Sequence, residues 1–210
     1  MMSASVQEAV LDAAERLIGR HGFQKVTMQD IAWEAGVGRR TIYLHFESKE
    51  DVALRSVDRM ADRVLDALRV IAASDGPAPS RLRDMLVARV MVRFDAASAY
   101  HAGLDALFDR LRPAYQERRR RHVDAEARVF ARTLGHRAFA VDSGLATAHD
   151  LLLATSALLP HSLGTRELGE RPAVARRARR LADILVRGVC RTRGREGGGG
   201  RLRSAKSRRP

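Results

Sequence analysis

Apolar residues recur at steps of three and four through most of the first 190 positions, and no stretch shows the sustained alternation of a half-buried strand. That periodicity predicts an all-α fold of about nine helices. In the first segment Val6, Ala9, Val10, Ala13, Ala14, Leu17 and Ile18 form one face, with Glu8, Asp12, Glu15 and Arg16 opposite. Gly22 can take the left-handed conformation that ends a helix, and Phe23 just beyond it can fold back onto the apolar face.

Thr27, with Asp30 three positions on, reads as a capping arrangement for a short helix carrying Met28, Ile31, Ala32 and Ala35 and stopped by Gly36. Gly36-Val37-Gly38 makes a tight turn into a second short helix, Arg39 to His45, with Ile42 and Phe46 facing inward. Ser48, with Asp51 three positions on, caps a long helix ended by Ser74-Asp75-Gly76-Pro77-Ala78-Pro79. Beyond it the pattern predicts helices at about 80–97, 101–110, 113–134, 143–159 and 172–190, with Pro113 and Pro172 in first-turn positions. After Cys190 the periodicity stops; the basic, Gly-rich segment 191–210 is predicted to be disordered.

Composition narrows the class. A chain of 210 residues, 45% hydrophobic, can bury a core. A single cysteine excludes an internal disulfide and fits a reducing cytoplasm. No export signal is visible at the start, and the longest uncharged apolar window, Leu151 to Thr165, is 15 residues against the roughly 20 that span a bilayer, so a cytoplasmic protein without a membrane partner is expected. The net charge of +13 points to a polyanionic partner without choosing one.

Two short helices joined by a glycine-containing turn and preceded by a supporting helix match a helix-turn-helix, whose second helix enters the major groove of double-stranded DNA. Arg39, Arg40, Thr41, Tyr43, His45 and Lys49 can donate to phosphates and base edges, and Thr41 can offer a methyl to thymine. A solvated helix face is the plainer alternative. The run Ile31-Ala32-x-x-Ala35-Gly36-Val37-x-x-x-Thr41-Ile42-Tyr43-x-His45-Phe46-x-Ser48-Lys49-Glu50 resembles the signature of the TetR (tetracycline-repressor-like) transcriptional regulators, with a detailed match over roughly 8–52.

The resemblance implies an N-terminal helix-turn-helix DNA-binding domain at 1–50 and a larger helical effector-binding and dimerisation domain at 51–190, followed by the tail. It assigns Thr27, Gln29, Tyr43, His45 and Lys49 to backbone or base contacts, and Arg39, Arg40 and Thr41 to the stretch where sequence is read, with Gly38 among the DNA-binding positions at the cap of that helix. Gly38 departs from a frequent capping Ser, and Arg40 from a commonly small residue, so the operator of a relative does not transfer. The candidate effector pocket takes in Met91, Phe94, His101, Phe108, Tyr115 and His149, although a stripe of Met and aromatic residues is more often plain core.

The broad apolar surfaces of the last two helices, with Leu152, Leu159, Val174, Ala178, Leu181 and Leu185, suit a four-helix dimer interface; the alternative is that both are core helices. The arginine runs 118–121 and 176–180 read as solvated faces, with Glu117 and Arg121 as an i, i+4 pair.

No phosphate loop, His-Glu-x-x-His or cysteine pair marks an enzyme, a cofactor or a metal site. The expectation is a ligand-responsive, homodimeric repressor released from a palindromic operator by a small-molecule effector. The alternatives are a DNA-binding protein of structural, nucleoid type, or a small-molecule binder with vestigial DNA binding. Charge does not distribute as that reading suggests. Residues 1–50 hold six cations and seven acids, for a net −1, while the tail holds eight cations and one acid. DNA binding therefore rests on where Arg39, Arg40 and Lys49 sit, with the acids of the first helix on another surface.

Overall fold

The computed structural model describes residues 2–99, 104–159 and 169–190. Among the described residues there are eight helices and no strand: α1 Met2–His21, α2 Met28–Glu34, α3 Arg39–His45, α4 Lys49–Ala73, α5 Ala78–Ala99, α6 Leu104–Leu134, α7 Gly144–Ser156 and α8 Arg171–Val189. Phe139 and Cys190 form an isolated antiparallel bridge. No described helix is long and apolar enough to cross a membrane. The basic tail lies outside the described residues.

Local chemistry sets the helix ends. Gly22 and Gly36 take φ of 79° and 67°, in the left-handed region that a side chain disfavours. Beyond Gly36 the Val37 N–H returns to the Ala32 carbonyl at 3.0 Å, closing α2 with the hydrogen bond of a Schellman motif. Phe23 folds back after α1 and is 1% exposed.

Two main cores result, and α4 belongs to both. Val10, Ala14 and Ile18 of α1 pack with Phe23, Val26, Ile31, Ile42, Phe46 and Val52 in the head. Further along α4, Val64 and Leu68 join Leu82, Met85 and Leu86 of α5, Phe130 and Leu134 of α6, Leu151 and Leu152 of α7, and Ala182 and Val186 of α8. A smaller cluster sets Val90 and Phe94 of α5 against Val174 and Ala178 of α8.

Ion pairs fix α4 on both flanks. The Arg59 guanidinium, 10% exposed, lies 2.8 Å from Glu8, 2.7 Å from Asp12 and 2.6 Å from Glu15, so one α4 cation ties down three acids of α1. One residue earlier, Asp58 faces α6 and pairs with Arg118 and, at 2.8 Å, with His122.

The structure corrects three expectations. Pro113 does not open a helix: α6 runs through it unbroken, because Leu111 on one side packs toward the head and Ala127 and Phe130 on the other sit in the main core. That packing offsets the hydrogen bond a mid-helix proline loses.

Leu152, Val174 and Ala178, expected at a subunit interface, are 1%, 1% and 2% exposed and already used inside the chain's own core. Leu159, Leu181 and Leu185 are half-buried. The outward apolar residues of α7 and α8 are instead Leu145, Leu153 and Ile184, which a helical period cannot distinguish when both faces are apolar.

The run 118–121 is not simply a solvated face, since Arg118 pairs with Asp58, and Glu117 meets Arg120 rather than Arg121.

Removing the Arg59 charge leaves three carboxylates side by side along one flank of α1. Arg59→Met is therefore expected to cost about 1–3 kcal/mol, a discount on a fully buried pair because the acids reach solvent. Urea unfolding measures it, and an unchanged midpoint would show that the clamp holds nothing together.

Candidate nucleic-acid interface

The proposed reading surface is built from three helix starts. Thr27 caps α2 with a complete capping box: its Oγ1 accepts from the Asp30 N–H at 3.2 Å, while the Asp30 carboxylate accepts from the Thr27 N–H at 2.9 Å and from its hydroxyl at 2.7 Å. These bonds from Thr27 hold the Asp30 carboxyl below its usual range. Ser48 caps α4, its hydroxyl accepting from the Asp51 N–H at 3.2 Å. Gly38 starts α3 with extended backbone and no side-chain cap.

Between α2 and α3 lies an open cleft of about 490 Å³ lined by Val26, Thr27, Met28, Gln29, Arg39, Tyr43 and Lys49. Five of the nine residues expected to meet DNA therefore share one concavity. Gly38 and Arg40 are exposed beside it on the same short helix, and Thr41 and His45 are half-buried there. Among the described residues no carboxylate pairs with Arg39 or Arg40, whereas acids elsewhere in the head are engaged: Glu8, Asp12 and Glu15 by Arg59, Glu34 by Arg16 at 2.8 Å, and Asp51 by Arg55 at 3.1 Å. A head with net charge −1 thus presents free cations on one side.

Lys49 departs from its expected part. Its ammonium donates to the carbonyls of Phe23 and Val26, each at 3.1 Å, and more weakly to that of Gln24 at 3.4 Å. It also stands 4.6 Å over the Phe23 ring. All three donors are used within the chain, so Lys49 pins the α1–α2 connection against the start of α4 and sets the wall of the cleft.

Leu44, an apolar residue, lies outside the expected contacts. It is 73% exposed on α3, one turn beyond Arg40 on the outward side, while Ile42 and Phe46 are buried. The available signal was its four-residue step from Arg40, away from the inward pair.

The residues suggested for an effector pocket do not converge. Phe94 is 5% exposed and packs on α8, with Met91 half-buried beside it. His149 lies on the surface, its ring bonded to Asp124 at 3.1 Å and to the Leu145 carbonyl at 3.0 Å, and those partners, Asp124 first, raise its pKa. Tyr115 is half-buried on α6. His101 lies outside the described residues, as does the side chain of Phe108. Among the described residues no group of three His, Cys, Asp or Glu is placed to hold a metal.

Two expectations follow. Lys49→Met is expected to lower the stability of the DNA-free protein by about 1–2 kcal/mol as well as its DNA affinity, whereas a lysine that only touched phosphate would leave the thermal midpoint unchanged. At Gly38 an added Cβ would meet Thr41 Oγ1 at 3.7 Å, an ordinary contact. Gly38→Ser is therefore expected to stabilise α3 by a few tenths of a kcal/mol, read by the same melt.

The head and the overall fold are similar to those of known proteins. Residues 10–55 match the family model of bacterial regulatory proteins of the tetR family. The HTH-type transcriptional regulator BetI of Agrobacterium fabrum is 37% identical over 91 residues, 43% of this chain and 42% of that protein. The HTH-type transcriptional regulator EthR of Mycobacterium tuberculosis is 31% identical over 94 residues, 45% of this chain and 43% of its own length. The chain thus matches less than half the length of these curated relatives.

Likeness of fold extends further. A transcriptional regulator from Cytophaga hutchinsonii superposes with a TM-score of 0.72 at 18% identity, covering 88% of this chain and 98% of that one. The fatty acid degradation regulator FadR from Bacillus halodurans gives 0.65 at 18% identity, covering 87% and 95%.

Proposed function

We propose that this chain, whose reading head is of the TetR family of bacterial regulatory proteins, is a transcriptional repressor that binds a pseudo-palindromic operator as a dimer and is released by a small-molecule effector. The observation that carries the DNA reading is the cleft shared by Thr27, Gln29, Arg39, Tyr43 and Lys49, beside unpaired Arg40 and outward Leu44.

In the bound state α3 lies in the major groove. Arg40 reads a base edge, with guanine O6 and N7 the best bidentate match, and Leu44 lies against a thymine methyl. Arg39 and Tyr43 hold phosphates. The α4 N-terminus, capped by Ser48, adds a positive dipole end.

Dimerisation is supported by Leu145 and Leu153 on α7 and Ile184 on α8, large apolar residues exposed on the two helices farthest along the chain from the head. In the proposed dimer a two-fold axis brings two copies of α3 to half-sites about 34–36 Å apart. An effector that binds the body better when the heads are wrongly spaced shifts population off DNA by its differential affinity.

Recovery of genomic fragments on the full chain tests the whole reading. A few palindromic promoter sites are expected, whereas dispersed sites would favour a structural, nucleoid role and none would sink DNA binding. On a recovered operator, Arg40→Ala is expected to relax preference at one position per half-site at a cost of about 1–3 kcal/mol. Leu44→Ala is expected to remove any gain of thymine over deoxyuridine.

A further inference from the structure

Inside the body, α5 and α6 hold a cluster of arginines that the DNA reading does not use. Arg89, 1% exposed, donates from Nε to the Glu126 carboxylate at 2.5 Å and from its other nitrogens to the Leu152 carbonyl at 3.3 Å, Thr155 at 3.1 Å and Ser156 at 3.3 Å. Arg93, one turn along α5, donates to the second Glu126 oxygen at 2.7 Å. Arg119 stands on α6 two turns before Glu126 and one turn after Tyr115, and among the described residues no carboxylate pairs with it. Two guanidinium groups thus share the Glu126 carboxylate, and the Arg119 charge is close enough to act on Arg89 and on Tyr115.

The imbalance has physical marks. The Nε atoms of both Arg93 and Arg119 are buried and hydrogen-bonded to nothing. Burial, then the nearby Arg93 charge, pushes the Arg89 guanidinium down to about 10 despite its carboxylate, with Arg119 pressing the same way. Burial raises the Tyr115 hydroxyl while Arg93 and Arg119 pull it back, so tyrosine and both arginines share one locale. Withdrawing a cation from water without a counter-charge is costly, and a structural network would need no third arginine.

We propose that Arg93 and Arg119, backed by the Arg89–Glu126 pair and flanked by Tyr115, form an oxyanion-binding site in the body, so that the effector carries a carboxylate or phosphate group. The identification as effector rests on the functional reading above; the anion site itself does not. Glu126 acts as a positioning residue, holding Arg89 and Arg93 in place through its two oxygens, and the incoming anion supplies the missing negative charge.

The test uses the purified full chain at constant ionic strength, with chloride replaced in separate arms by inorganic phosphate or by hexanoate, and with hexanol as the uncharged control. At least one anion is expected to raise the melting temperature by about 2–4 °C, as for a ligand well above its Kd. Hexanol is expected to raise it by nothing. In Arg119→Gln the rise is expected to vanish while the anion-free protein melts no lower than wild type; in Arg119→Lys part of the rise survives.

Phosphate alone active would identify a phosphoryl group, and hexanoate alone a carboxylate. Neither anion differing from chloride, or an undiminished rise in Arg119→Gln, would overturn the site. An Arg119-dependent rise without loss of operator affinity would leave the site standing and remove the release mechanism.

Discussion

The contact of Arg59 with Glu8, Asp12 and Glu15 decides how the reading head sits on the rest of the molecule. Helix α1 contributes the long apolar face around which α2 and α3 fold, and α4 is the element that continues into the body. A nearly buried cation between them joins the two rigidly. The same contact gathers three acids of α1 on the flank facing α4, while Arg39 and Arg40, elsewhere on the head, pair with no carboxylate among the described residues.

Helix boundaries were legible where they depend on chemistry a few residues long. Thr27 with Asp30, Ser48 with Asp51, and the left-handed glycines at 22 and 36 act through their own backbone neighbours, and the structure has them as the sequence suggests. The turn geometry that brings α2 against α3 follows from those caps. That Thr27, Gln29, Arg39 and Tyr43 line one cleft was readable for the same reason, since they lie within 17 positions of one another.

What the sequence hid were choices between two partners of equal chemical merit. A lysine at a helix start suits a phosphate and suits backbone carbonyls alike; only the fold brings Phe23 and Val26 within reach of Lys49. Leu152 and Leu153 are neighbours of the same type, yet one is 1% and the other 71% exposed, because the body claims one face of α7 and periodicity does not say which. Arg118 read as solvated until α4 brought Asp58 beside it. Pro113 misled because tertiary packing outweighs a local helix rule.

The length of α4 gives its anchoring a mechanical meaning. Twenty-five residues make a rod of about 37 Å, with Lys49 against the head's first turn and Ala73 beyond the body's core. Asp58, paired across to α6, sits about a third of the way along. Over the full length, a tilt of about 5° displaces one end relative to the other by roughly 3 Å, close to the rise of a single base pair. In the dimer proposed above, a tilt of that size would shift the proposed reading helix against the body by about one base-pair step, so the stiffness of α4 would set how closely two heads keep their spacing.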